Sequence, residues 1–134
     1  RNVGGADRSR LAMLTAVLEA RCGVPLSGRD IFLNVAGGLK ISETAADLAV
    51  AAALISSVSG RPAPPRSVFF GEVALSAELR QVAQADARLK EASKLGFDMA
   101  VMPRPRKKLA APSGLSLAQP STLAELIEIL GGVT

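Results

Sequence analysis

The sequence predicts an α+β domain in which a mixed sheet carries helices packed against it. Three observations lead there. Apolar segments follow one another in the order α-β-α-β-β-α-β-α, a pattern that neither an all-helical nor an all-strand chain produces. Hydrophobic residues make up 49% of the 134 positions, enough for a real core and too many for a disordered chain. Aromatics are only 3%, with no Trp or Tyr, so the core is left to Ala, Leu, Val and Ile, which suit close packing of helices on a sheet. No linker divides the chain, and residues 1–134 read as one domain, excised from something longer because the sequence starts at Arg1 without a Met.

The elements follow in order. Residues 8–21 form an amphipathic helix, with Leu11, Leu14, Ala16, Val17 and Leu18 as its stripe, Asp7 as N-cap and Gly23 as stop. Residues 30–36 are a β-rich run closed by Gly37-Gly38. A second helix over 43–58, capped by Ser42 or Thr44, is apolar nearly all round and therefore buried, while Glu43 and Asp47 suit its positive end. Gly60 ends it, and the Pro-rich loop 61–66 cannot continue it. Residues 67–75 read as a strand, turning at Ser76 and Ala77 to return along 78–82. A helix over 84–95 stops at Gly96, and a buried strand over 97–102 is closed by Pro103. Residues 104–119 read as a loop, and a last helix starts at Ser121.

Composition removes several functions. The chain has no His, which excludes Ser-His-Asp and Cys-His catalysis and most zinc sites. Cys22 stands alone at the end of an apolar helix, so it reads as a small core residue in a reducing compartment. The longest apolar run, near 48–55, is too short to cross a bilayer, and no signal peptide is visible. Net charge is +4, compatible with a nucleic-acid partner without requiring one.

The motifs are sparse. Gly37-Gly38 before a helix lacks the GxGxxG and GxxxxGK[ST] fingerprints, so a tight strand-to-helix turn accounts for it. Lys40 in that loop is placed to attract an anion, although a solvated lysine accounts for it as well. Glu43 and Asp47 share a helix face, but capping and dipole compensation explain both. Glu72 is an acid within a strand and reads as structural. Arg104, Arg106, Lys107 and Lys108 are the densest charge cluster, either a solvated loop or a phosphate contact. Without interleaved aromatics, contact there would be directed at the nucleic-acid backbone.

Taken together, Arg10-Leu-Ala-Met-Leu-Thr-Ala-Val-Leu-Glu-Ala-Arg-Cys-Gly23, Asn34-Val-Ala-Gly-Gly-Leu-Lys40, the run from Glu43 through Ala51, Phe70-Gly-Glu-Val-Ala-Leu75 and the run from Arg88 through Phe97 resemble the C-terminal domain of the bacterial RadA/Sms recombination and repair family. The resemblance covers most of residues 5–103 and is weaker after 104. It implies a Lon-protease-like domain with the ribosomal-protein-S5-domain-2-like fold. Active Lon enzymes use a Ser nucleophile and a Lys base. Aligned on this chain, those positions fall at Ala45 and Asp86, which supply neither group. The resemblance thus implies a catalytically silent scaffold.

It also implies a parent protein that is a DNA-dependent ATPase working as a hexameric ring on single-stranded or branched DNA, in the bacterial cytoplasm and alongside a RecA-type recombinase. ATP, Mg and Zn would belong to parts absent from these residues; no cofactor and no membrane partner is expected in this domain. Matching positions for DNA contact are Arg10, Lys40 and Arg80, with Arg104, Arg106, Lys107 and Lys108 as a further set. Each contact would steepen the salt dependence of binding by roughly one unit of slope. The alternatives are an active Ser-Lys peptidase, through Ser42 or Thr44 in a shifted register, and an oligomerisation module that touches no DNA.

Overall fold

The periodic segments fold into three layers. A computed structural model describes residues 5–28 and 43–134, with side chains from residue 8 onward. Its strands β1 (Ser67–Phe69), β4 (Met99–Val101) and β5 (Ser116–Ala118) form a parallel sheet in the order β1-β4-β5. A separate antiparallel ribbon joins β2 (Glu72–Val73) to β3 (Leu79–Arg80). The helices are α1 (Gly5–Cys22), α2 (Asp47–Ser59), α3 (Ala85–Lys94) and α4 (Leu123–Ile129), with a 3-10 turn at Thr44–Ala46 leading into α2.

Register explains why the strands of the parallel sheet are apolar beyond the serines that open β1 and β5. Side chains alternate between faces, and Val68, Ala100 and Leu117 are in register across the sheet. All three belong to the core under α3, with Phe70, Leu89, Ala92, Met102 and Leu115. The neighbouring row, Phe69, Val101 and Ala118, packs against α1, α2 and α4 through Leu14, Leu18, Leu48, Ile55, Leu123 and Leu126. A parallel sheet covered on both faces needs strands without a polar side. The α+β class expected from the sequence is what forms, although the described strands make a parallel sheet plus a ribbon instead of one mixed sheet.

Several boundaries differ from the sequence reading. Helix α1 begins at Gly5, so Asp7 lies inside it and does not cap it, and Ala16 is exposed while Leu14, Val17 and Leu18 carry the core face. Gly23 follows α1 with φ +68, as the stop signal predicted. The strand read over 67–75 breaks at Gly71, where the chain leaves the sheet and starts the ribbon. The region read as loop over 104–119 contains β5, whose Ser-Leu-Ala carries no alternation of its own and becomes a strand by pairing with β4. The run at 30–36 and the Gly37-Gly38 turn lie outside the described residues.

Helix α4 is capped one residue later than Ser121. The Thr122 hydroxyl accepts from the Glu125 amide at 3.2 Å, and the Glu125 carboxylate accepts from the Ser121 amide at 2.6 Å. The pair is a variant of the capping box, with the carboxylate reaching the amide one residue before the N-cap. Backbone bonds from Leu79 to the Ser121 carbonyl and from Leu123 to the Ala77 carbonyl, both 2.9 Å, sew the ribbon to the start of α4. Thr122→Ala is therefore expected to cost about 1 kcal/mol in urea denaturation, with an unchanged m-value.

Candidate functional site

The turn that would hold a peptidase nucleophile is tightly built and closed. Ala45 sits in the 3-10 turn, 8% exposed, and offers a methyl group where a hydroxyl would be needed. The first amides of a helix are free to stabilise an anion only if nothing else uses them. Here the Leu48 amide donates to the Gly71 carbonyl at 3.1 Å, and the Gly71 amide donates to the Ala45 carbonyl at 2.9 Å. Neither the turn nor α2 has a side-chain cap; the chain leaving β1 satisfies the helix start instead. Ser42 and Lys40 lie outside the described residues.

Behind this turn the structure places Asp47, 1% exposed. A buried carboxylate is costly unless paired and hydrogen-bonded. Its Oδ1 accepts from Arg10 Nε at 2.7 Å, its Oδ2 accepts from Arg10 Nη2, and the Val73 amide donates to Oδ2 at 3.0 Å. The planar guanidinium matches a carboxylate with two parallel bonds, which an ammonium cannot do. One side chain thus ties α1, α2 and the ribbon together. The hydrogen bond to Asp47 raises the Arg10 pKa, burial opposes the rise, and the charges of Asp47 and Glu72 add to it. A folded-state pKa raised above the unfolded one contributes stability at every pH below the guanidinium range and loses it only as pH climbs through that range.

This arrangement bears on two sequence expectations. Asp47, read as balancing a helix dipole, is in the first turn of α2 but serves as a buried acceptor for three N–H groups. Arg10, read as facing DNA, has both ends of its guanidinium fork on Asp47, and its side chain is 25% exposed. The acid–base pair was invisible in the sequence because its members stand 37 positions apart.

The position matched to the peptidase lysine, Asp86, lies exposed in the first turn of α3. Glu43, just ahead of the 3-10 turn, pairs with Arg88 of α3 at 3.4 Å, and Arg88 lies 5.9 Å from the Phe70 ring centre. These contacts bring the two elements that bear the empty positions side by side, but neither Ala45 nor Asp86 supplies a nucleophile or a base. Cys22 is half-buried, and burial pushes its thiol pKa up, which disfavours the reactive thiolate.

The remaining sequence-predicted cations differ from Arg10. Arg80 ends β3 opposite Glu72 in the ribbon register, yet makes no ion pair with any described residue and is exposed. Arg104, Arg106, Lys107 and Lys108 are likewise exposed, without an ion-pair partner among the described residues. Their loop is anchored: Gln81 Nε2 donates to the Arg104 carbonyl at 3.1 Å, and the Arg104 amide donates to the Pro120 carbonyl at 3.3 Å. Sequence reasoning passed over Gln81, since nothing in its neighbourhood marks it as a tether. The described residues contain no group of three or more His, Cys, Asp or Glu able to hold a metal ion, and no helix among them is long and apolar enough to cross a membrane.

A family model described as subunit ChlI of Mg-chelatase matches residues 6–106. The chain belongs to this ChlI family. Among curated proteins, the ChlI-family chain is 50% identical over 127 residues to the DNA repair protein RadA of Brucella abortus, covering 95% of this chain and 27% of that protein. It is 46% identical over 126 residues to the RadA of Pseudomonas aeruginosa, covering 94% and 28%, and 53% identical over 98 residues to that of Rickettsia felis, covering 73% and 22%. The resemblance to RadA repair proteins read from the sequence is borne out. The ChlI-family chain spans about a quarter of the length of these curated relatives.

Proposed function

We propose that this chain is a catalytically silent, Lon-like scaffold domain of a RadA-type DNA repair protein, supporting ring assembly and contacting DNA without reading its sequence. The observation that carries the silent part is the turn at 44–47. Ala45 has no hydroxyl, the Leu48 amide is taken up by the Gly71 carbonyl, and the Asp47 carboxylate behind the turn is occupied by Arg10 and the Val73 amide. The S5-like, Lon-like fold assignment belongs to the same reading.

For DNA contact, the supporting observation is the set of exposed cations without an ion pair among the described residues, Arg80 with Arg104, Arg106, Lys107 and Lys108 on the anchored loop; Lys40, outside the described residues, joins them from its place in the sequence alone. Arg10 acts chiefly through Asp47, so its influence on DNA is that of a positioning residue. The parent would be a DNA-dependent ATPase that assembles as a hexamer in the bacterial cytoplasm on single-stranded or branched DNA, with a RecA-type recombinase as partner. ATP, Mg and Zn would be bound outside residues 1–134.

Two assays separate this from its rivals. With a fluorogenic peptide no turnover is expected; turnover abolished by Ser42→Ala would establish a peptidase instead. In binding to a fluorescent single strand, Lys40→Ala and Arg80→Ala should each weaken affinity. Unchanged affinity in both would leave a module that assembles without touching DNA, with light scattering over a concentration series reporting the assembly itself.

A further inference from the structure

The connection from β3 to α3 and the loop after Pro103 enclose a shallow groove of about 440 Å³, lined on one side by Gln81, Gln84 and Asp86 and on the other by Arg106 and Lys107. Its floor includes Val82, Ala85 and Leu109, which also pack on the core under α3, so the floor is fixed by the fold. The Gln81 tether to the Arg104 carbonyl holds the cationic wall in place and leaves the Gln81 amide oxygen available. Such a volume is in the range of sites for small organic groups, roughly 300–1,000 Å³.

The three surfaces differ in chemistry, and together they suit one kind of occupant. An apolar floor takes the face of a flat ring. The amides of Gln81 and Gln84 and the carboxylate of Asp86 offer donors and acceptors to the edge of a base, and Asp86 repels phosphate from that side. Arg106 and Lys107 attract phosphate on the other. We propose that this groove receives one unstacked base of a single-stranded nucleic acid, its phosphate held by Arg106 and Lys107, with Gln81 as the positioning residue. This rests on the DNA-binding reading above and adds to it: a duplex satisfies the cations, but only a single strand can turn a base into the groove.

The test compares three probes on the whole chain: a mixed-sequence single strand, the same strand made of abasic tetrahydrofuran units, and a duplex. The abasic strand keeps the phosphates and removes the bases. The ordinary strand is expected to bind roughly two- to fivefold more tightly than the abasic one, less than a base stacked on an aromatic ring gains, because the floor is aliphatic. Gln84→Gly should reduce that difference while abasic binding changes little; glycine accepts the φ of +63 found there, so the backbone is not the variable. Arg106→Ala combined with Lys107→Ala should weaken both strands alike. Equal binding of ordinary and abasic strands overturns the base site while the DNA reading stands. Failure of all three probes to bind removes both.

Discussion

Arg10→Ala is expected to destabilise the chain by about 3 kcal/mol, at the lower end for a broken buried pair because Arg10 keeps some exposure. The substitution strands the Asp47 carboxylate in the core with a single remaining donor, the Val73 amide. Asp47→Ala should cost less, since the freed guanidinium can turn toward water and only the Val73 amide loses its partner. Arg10→Lys should destabilise less than Arg10→Ala, keeping a positive partner for Asp47 that cannot serve both carboxylate oxygens in one plane. Urea denaturation of Arg10→Ala, Asp47→Ala and their double variant checks this. The second substitution should add little to the first, and strict additivity would show that the pair does not couple. Should DNA binding weaken in Arg10→Ala, a loosened α1–α2–ribbon junction would account for it without a direct contact, so this variant alone does not test the Arg10 contact.

Gly71→Ala is the second large effect. A Cβ at this position would stand 2.7 Å from both Cγ and Cδ of the Pro103 ring and 3.4 Å from Leu48 Cδ2, on a backbone with φ +153. Pro103 is buried and its ring cannot rotate away. Relief requires moving the end of the sheet or the hydrogen bonds that join Gly71 to Ala45 and Leu48. The expected cost is about 3 kcal/mol, the upper part of the range for overpacking. For a chain of this size that corresponds to a fall in melting temperature of roughly 10 °C. Pro103→Ala in the same chain should restore part of the loss. A melting curve identical to the parent's would contradict the close approach.

Most of what was legible in the fold rests on local signals, although the caps read at Asp7 and Ser121 were displaced. The α1 stripe, the stops at Gly23 and Gly96, the turn at Ser76 and Ala77 and the apolar strand before Pro103 all depend on residues within a few positions of one another. Illegible features depend on distant partners. Strand β5 exists because β4 pairs with it, and α2 needs no capping hydroxyl because Gly71 supplies the acceptor. The candidate site divides the same way. Ala45 and the exposed basic loop could be named from sequence, since an absent hydroxyl and a run of cations are properties of the text. The groove could not, being assembled from two connections, nor could the role of Arg10, which is set by a carboxylate on another helix.

In the proposed role, exposed cations without an ion pair among the described residues neutralise DNA phosphates. The salt dependence of single-strand affinity measures it most directly, because each phosphate contact contributes about 0.7 to the slope of log K against log salt on single strands. Comparing the chain with Arg80→Ala, and with Arg106→Ala plus Lys107→Ala, should give slopes shallower by about 0.7 and about 1.4. Identical slopes for all three proteins would contradict the account.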